Sequence, residues 1–122
     1  MPKYILPENV TSQDGTGAVI ALESGRGKPL LLTLEITRTI EQESLEMSIW
    51  GSSDQRDWRP LETFPQKFYC GTYSLLLDLT RHSDVRYLRA EWKMSRWGWG
   101  EAAPLFGFYL TMETPRLQVV GA

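Results

Sequence analysis

Five stretches of this chain alternate apolar and polar residues with a period of two, and that pattern restricts the fold more than any other feature. In 30–37 one face carries Leu30, Leu32, Leu34 and Ile36, and the other Leu31, Thr33, Glu35 and Thr37. In 45–52 the apolar set is Leu45, Met47 and Ile49, against Glu46, Ser48, Trp50 and Ser52. In 73–79 it is Tyr73, Leu75, Leu77 and Leu79, against Ser74, Leu76 and Asp78. The run 88–94 sets Leu88, Ala90, Trp92 and Met94 against Arg89, Glu91 and Lys93. The run 105–113 sets Phe106, Phe108, Leu110 and Met112 against Leu105, Gly107, Tyr109, Thr111 and Glu113. Successive side chains of an extended strand point to opposite faces, so each run reads as a strand with one face on a core and one toward water.

Weaker strand signals lie at 3–6, 17–23 and 61–69. Between the strands sit turn-forming groups: Ser12-Gln-Asp-Gly15, Ser24-Gly-Arg-Gly27, Ser52-Ser-Asp54 and His82-Ser-Asp84. No window sustains apolar spacings of three and four; the best helical candidate, Ile40–Leu45, is short. The reading is an all-β domain, an antiparallel two-sheet sandwich or jelly roll of about eight strands. At 122 residues the chain makes a single domain over 1–122, with no internal repeat or linker. The tail 115–122 has three readings: an edge strand, a frayed end, or an exchange arm that pairs with a neighbouring subunit.

Charge and rare residues narrow the chemistry. The net charge of −2 gives no general pull toward polyanions, so nucleic acid is not expected as a partner. Arg81, Arg86, Arg89, Lys93 and Arg96 nonetheless crowd together, which suits either solvated strand faces or a basic ligand strip. The single cysteine, Cys70, cannot make an internal disulfide. The first seven residues lack a basic segment followed by an apolar run, and no apolar stretch approaches the about 20 residues of a membrane helix. The cytoplasm is therefore the expected compartment.

Acid–base or nucleophilic catalysis needs converging titratable groups. The one histidine, His82, and Cys70 both fall in predicted turns, the first read as solvated and the second as a small buried residue. No enzyme, no cofactor and no metal centre is expected: zinc lacks a ligand set, and the Asp54–Asp57 loop lacks the alternating oxygens of a calcium loop. Gly25-Arg-Gly-Lys28 is too short for a phosphate loop and reads as a hairpin turn. Glu41, Glu43 and Glu46 read as a solvated strand edge.

The tryptophans say more. Trp92 lies on an apolar face and reads as core, and Trp58 follows a turn and reads as a cap on the sandwich end. Trp50 falls on an outward face. Trp97 and Trp99 lie in the glycine-rich Ser95-Arg-Trp-Gly-Trp-Gly100. Exposed tryptophan beside arginine suits a protein interface, since the ring buries much area and the guanidinium stacks on it. It also suits a sugar platform; the plainer alternative is that this loop folds back over the sheet edge.

Two stretches carry a resemblance. Ser52-Ser-Asp-Gln-Arg-Asp-Trp58 resembles the Ser-x-Asp-Gly-x-x-Trp turn of discoidin-like (coagulation factor 5/8 C-type) β-sandwiches, and Val85-Arg-Tyr-Leu-Arg-Ala-Glu-Trp92 resembles a later strand of that family. The resemblance implies that Ser52 and Asp54 organise the turn and that Trp58 packs beneath it. Gln55 stands where the family has glycine, and the flanking cysteines are absent. Small β-sandwich proteins of phage structural genes show a similar pattern, matched here by Leu45-Glu-Met-Ser-Ile49, Ser52, Asp54, Trp58 and Tyr87-Leu-Arg89. That similarity implies a structural protein.

The expected function is thus non-enzymatic: a self-assembling or particle-decorating β-sandwich, a homo-oligomer or part of a virion-like assembly. Its expected contact residues are Trp50, Arg89, Lys93, Arg96, Trp97 and Trp99. The alternative is a carbohydrate-binding module whose platform is the Arg96–Trp99 loop. A third hypothesis, an enzyme, requires His82 to meet acids in space.

Overall fold

In the computed structural model, which describes residues 3–22, 27–40, 42–96 and 104–114, the alternating runs pair into two antiparallel sheets. The strands are β1 (Lys3–Thr11), β2 (Gly15–Thr16), β3 (Ile20–Ala21), β4 (Pro29–Thr39), β5 (Glu43–Ser52), β6 (Arg59–Thr63), β7 (Gly71–Asp78), β8 (Tyr87–Arg96) and β9 (Phe106–Glu113). One 3-10 turn, Leu79–Arg81, follows β7, and there is no α-helix among the described residues. The first sheet runs β1-β9-β4-β7; the second runs β2-β8-β5-β6, with β3 also on β8. Counting β2 and β3 as one broken edge strand gives eight strands in two sheets of four. Successive strands cross from one sheet to the other except at the β5–β6 hairpin, and this is the winding of a jelly roll.

Most of the core is the set the alternation picked, joined by Ile5, Leu6, Leu22, Phe64 and Val85 from outside the five runs. Leu32, Leu34, Leu45, Met47, Ile49, Leu88, Ala90, Phe106 and Leu110 are wholly buried, and Ile36, Leu77 and Phe108 nearly so. Each side chain comes from the inward face of its strand, so the two sheets bury one apolar face each against the other. Trp92 packs against this core, its ring edge-on to Phe108 at 5.4 Å between centroids, but is half-buried rather than enclosed.

Several local expectations are corrected. Ile40–Leu45 is not helical: the chain turns at Gln42, which has φ +58°, and re-enters a strand at Glu43. Among the described residues 17–22, Ile20–Ala21 pairs as a strand, flanked by single bonds from the Gly17 amide to the Ala90 carbonyl and from the Leu22 amide to the Arg86 carbonyl (both 2.8 Å), and the predicted turn residue Gly15 is itself in β2. Gly15 is required there, since a Cβ would fall 2.4 Å from Cζ2 of Trp92. The strand signal over 61–69 ends at Thr63; Pro65 interrupts it, and one bridge, Leu45 to Lys67, resumes it. Cys70 is exposed, not buried, and His82 is half-buried rather than solvated, closing the 3-10 turn through its amide to the Leu79 carbonyl (3.0 Å).

The largest correction is Glu43. It is buried, with 1% of its surface exposed. One carboxylate oxygen accepts from the Thr39 hydroxyl (2.7 Å) and the Ile40 amide (2.9 Å), and the other from the Leu105 amide (2.7 Å). Glu46 is exposed as expected, but on the outer face of β5, which lies between β8 and β6 and not at a sheet edge, and Glu41 lies outside the described residues.

Candidate interaction face

On β5 and β8 the outward residues alternate with the core set, and the cross-strand register decides which of them meet. Trp50 lies opposite Arg89, Ser48 opposite Glu91, and Glu46 opposite Lys93. Directly opposed side chains on one face lie within contact reach, so the register places an indole beside a guanidinium. Trp50 is half-buried, and its indole N–H donates to Ser48 Oγ (3.0 Å).

The turn after β5 delivers a second indole to the same place. Ser52 donates its hydroxyl to Asp54 Oδ1 (3.0 Å) and accepts from the amides of Asp54 (3.2 Å) and Gln55 (2.9 Å). Asp54 Oδ1 accepts in addition from the amides of Arg56 (2.8 Å) and Asp57 (3.0 Å). Two short side chains thereby satisfy four turn amides, the local bonding that favours serine and aspartate in turns. The Ser52 carbonyl accepts from the Arg86 amide (2.9 Å), fixing the turn to the approach of β8. Trp58 leaves this turn with its indole N–H on the Gln55 carbonyl (3.2 Å), and its ring lies against the Arg89 guanidinium at 4.3 Å. Trp58 therefore does not cap the end of the sandwich; it lies over an outward residue of β8.

Arg89 is held by these contacts more than by hydrogen bonds. Its NH2 group stands 3.5 Å from Glu91, and its Nε is buried with no acceptor among the described residues. Its place is set by the Trp58 ring and the neighbouring Trp50, an arrangement in which cation–π attraction is stronger for being partly desolvated. At the start of β6, Arg59 grips Asp84 through two bonds (2.9 and 2.7 Å).

Gln55 adopts φ +65°, the left-handed conformation that glycine enters without cost. Gln55→Gly is expected to stabilise the protein by about 0.5–1 kcal/mol, the relief of left-handed strain exceeding the entropy added to the unfolded chain. A urea midpoint that moves down would contradict this.

The Asp54 carboxyl is held below its ordinary value of 3.8 by the Asp57 and Arg56 amides and the Ser52 hydroxyl. Asp84 is held below it by the Arg59 guanidinium, and Asp78 by the hydroxyl and amide of Thr80. A carboxyl with a lowered folded value supports folding fully above its unfolded value and loses that support as pH falls through the folded one. Stability is therefore expected to be flat down to about pH 5 and to drop progressively below about pH 4. Asp54→Asn should flatten part of that drop in urea titrations at several pH values.

The remaining sequence candidates separate. Lys93 is exposed across from Glu46, and Arg96 ends β8 opposite Glu43. Arg81 lies 4.0 Å from Asp78. The basic cluster is thus interleaved with acids along the sheet rather than gathered into one strip. Trp97 and Trp99 lie outside the described residues, as does the tail 115–122. Among the described residues no group of three or more His, Cys, Asp and Glu side chains could hold a metal ion, and no helix is long and apolar enough to cross a membrane.

Sequence reasoning missed one further feature, a shallow hollow of about 300 Å³ lined by Asp14, Gly15, Thr16, Glu91, Trp92 and Lys93. It forms because the loop before β2 clamps β8: the Trp92 indole donates to the Gln13 carbonyl (2.9 Å), and Asp14 accepts from the Met94 amide (2.7 Å). The Asp-Gly pair at 14–15 was visible as a turn, but its seat on a strand nearly eighty residues later was not. Comparison with protein-family models, with curated proteins and with solved structures finds no match in any of the three.

Proposed function

We propose that this chain works by contact, as a non-enzymatic β-sandwich subunit of a protein assembly, and that the outward face of β5 and β8 around Trp50, Arg89 and Trp58 is a contact surface. The observation that carries this reading is the stacking of Arg89 on Trp58 at 4.3 Å directly across from Trp50, on a face turned away from the core. Tryptophan and arginine are enriched among the residues that carry most of the binding energy of protein interfaces. Here the set is already ordered before any partner arrives, which lowers the cost of binding. Jelly rolls serve as shell subunits and as lectin domains alike, so the winding of the chain chooses neither, and the choice rests on this face.

Mass photometry over a concentration series tests the reading. The chain is expected to form species larger than a dimer, and Trp50→Ala is expected to weaken their formation about 30-fold, the effect of losing one interface anchor. Its melting curve should stay close to that of the parent. Species no larger than a dimer at every concentration, or growth indifferent to Trp50→Ala, would count against it. Quenching of tryptophan fluorescence by an oligosaccharide, abolished in Trp50→Ala, would turn the reading toward sugar recognition.

A further inference from the structure

A sheet edge exposes a row of unpaired backbone donors and acceptors, and proteins blunt such rows with prolines, charges, bulges or short strands. Three of the four edges here are blunted. β1 carries Pro7, Lys3 and Glu8 and breaks register twice along β9. β6 is five residues long, with Pro60 within it, and pairs through a bulge. The β2–β3 edge is cut into two pieces of two residues each.

β7 has none of these devices. It pairs with β4 in unbroken register over eight residues, Gly71 opposite Ile36 through Asp78 opposite Pro29. It contains no proline and no lysine, and its only charge is Asp78 at the last position. Among the described residues no strand pairs with its other side.

The side chains of β7 record the same incompleteness. Tyr73 and Leu75 point to the core, as Leu32, Leu34 and Leu110 do, yet both are only half-buried while those three are wholly enclosed. The segment before β7 covers part of Tyr73, whose hydroxyl donates to the Tyr69 carbonyl (2.7 Å) and whose ring centroid lies 4.2 Å from Lys67 Nζ. On the outer face Leu76 is 52% exposed, and Tyr69, just before the strand, is 75% exposed.

We propose that β7 pairs antiparallel with β7 of a second copy of this chain, joining two four-stranded sheets into one of eight strands. The pairing is self-complementary. A two-fold axis normal to the sheet at Ser74 or Leu75 keeps both core faces on the same side, because residues related by it share a face. It sets the half-covered Tyr73 and Leu75 of each copy against apolar side chains of the other. It also sets Asp78 across from an uncharged residue, so no like charges meet. A partner strand of another protein would need to match an edge with apolar core-side positions and a single charge, Asp78, at one end; a second copy matches it by construction. The inference rests on the reading of the chain as an assembly subunit and adds the location and symmetry of one contact.

The test is sedimentation of the full chain over a concentration series, with a reducing agent present because Cys70 is exposed. The parent is expected to pass reversibly from 14.0 kDa through twice that mass before larger species form. Amide hydrogen exchange should show the β7 amides that face away from β4 protected at high concentration and fast-exchanging on dilution, with those bonded to β4 protected throughout. Ser74→Lys, which sets lysines of the two copies opposite or diagonal to each other across the axis, should weaken dimer formation about a hundredfold, and separately Leu76→Lys, which sets a lysine against Thr72 or Ser74 of the other copy in place of an apolar side chain, should weaken it about tenfold. Both variants should melt like the parent. Trp50→Ala should leave the dimer intact. A parent that stays monomeric, or a dimer that survives both lysine variants, overturns the β7 pairing. A dimer that forms through β7 but never grows further leaves the pairing standing and removes the Trp50 face instead.

Discussion

Glu43→Ala is expected to destabilise the protein by about 3–4 kcal/mol, lowering the melting temperature by about 12 °C for a domain of this size. The carboxylate is enclosed and accepts three hydrogen bonds, two of them from the backbone amides of Ile40 and Leu105. Alanine would leave those donors buried and unsatisfied, at about 1–3 kcal/mol each where water cannot reach them. It would also sever the tie between the β4–β5 turn and the start of β9, two segments more than sixty residues apart in sequence. Glu43→Gln keeps the shape but offers one acceptor oxygen where two are used, and turns an amide N–H toward a donor, so it should cost about half as much. Urea unfolding of the two variants beside the parent checks both the size and the order. An alanine variant within about 1 kcal/mol of the parent would show that the clasp adds little.

Phe108→Ala should cost about 3–5 kcal/mol. Phe108 is 1% exposed on β9, the strand flanked by both β1 and β4, and its ring meets Trp92 from the opposite sheet. Truncation removes a large buried ring and leaves a cavity between two sheets whose backbones are held by ladders on either side, so the site can collapse only in part. Trp92 reports on the event: its fluorescence should shift to longer wavelength as water gains access to the indole, while strand content by circular dichroism is retained below the midpoint. Phe108→Leu, with a smaller void, should cost about 1–2 kcal/mol. Equal losses for the alanine and leucine variants would mean that the cavity is not the source of the effect.

Much of the fold was legible because alternation reports burial directly. The five runs became β4, β5, β7, β8 and β9, each within two residues of its boundaries, because a strand with one buried face has no other way to sort its side chains. The two-residue strand β2 was invisible for the same reason, since no period exists in so short a piece, and β3 showed only as part of the weak signal over 17–23. Glu43 was read as solvated because its burial depends on a turn two residues earlier and on Leu105 far along the chain, and neither leaves a mark on the local pattern. The interaction face was half legible. Trp50 was outward by alternation, but the arrival of Trp58 on Arg89 needed the register of β8 against β5, which the spacing of the runs does not set. The difference between β7 and its protected counterparts was in the sequence throughout, as the absence of proline, lysine and bulge. It acquired meaning only once the strand order placed β7 on the outside.

The pairing of β1 with β9, and of β9 with β4, has a consequence for how the chain reaches this state. The strand that completes one sheet is made after nearly all the others, so a nascent chain still on the ribosome holds β1 and β4 without the neighbour that joins them. Structures dominated by such distant pairings fold in milliseconds to seconds rather than microseconds, because long loops must close before any contact rewards the closure. During that interval the apolar faces of β1 and β4 stand open in the partly made chain, and holding chaperones would act on the unfinished protein more than on the released one.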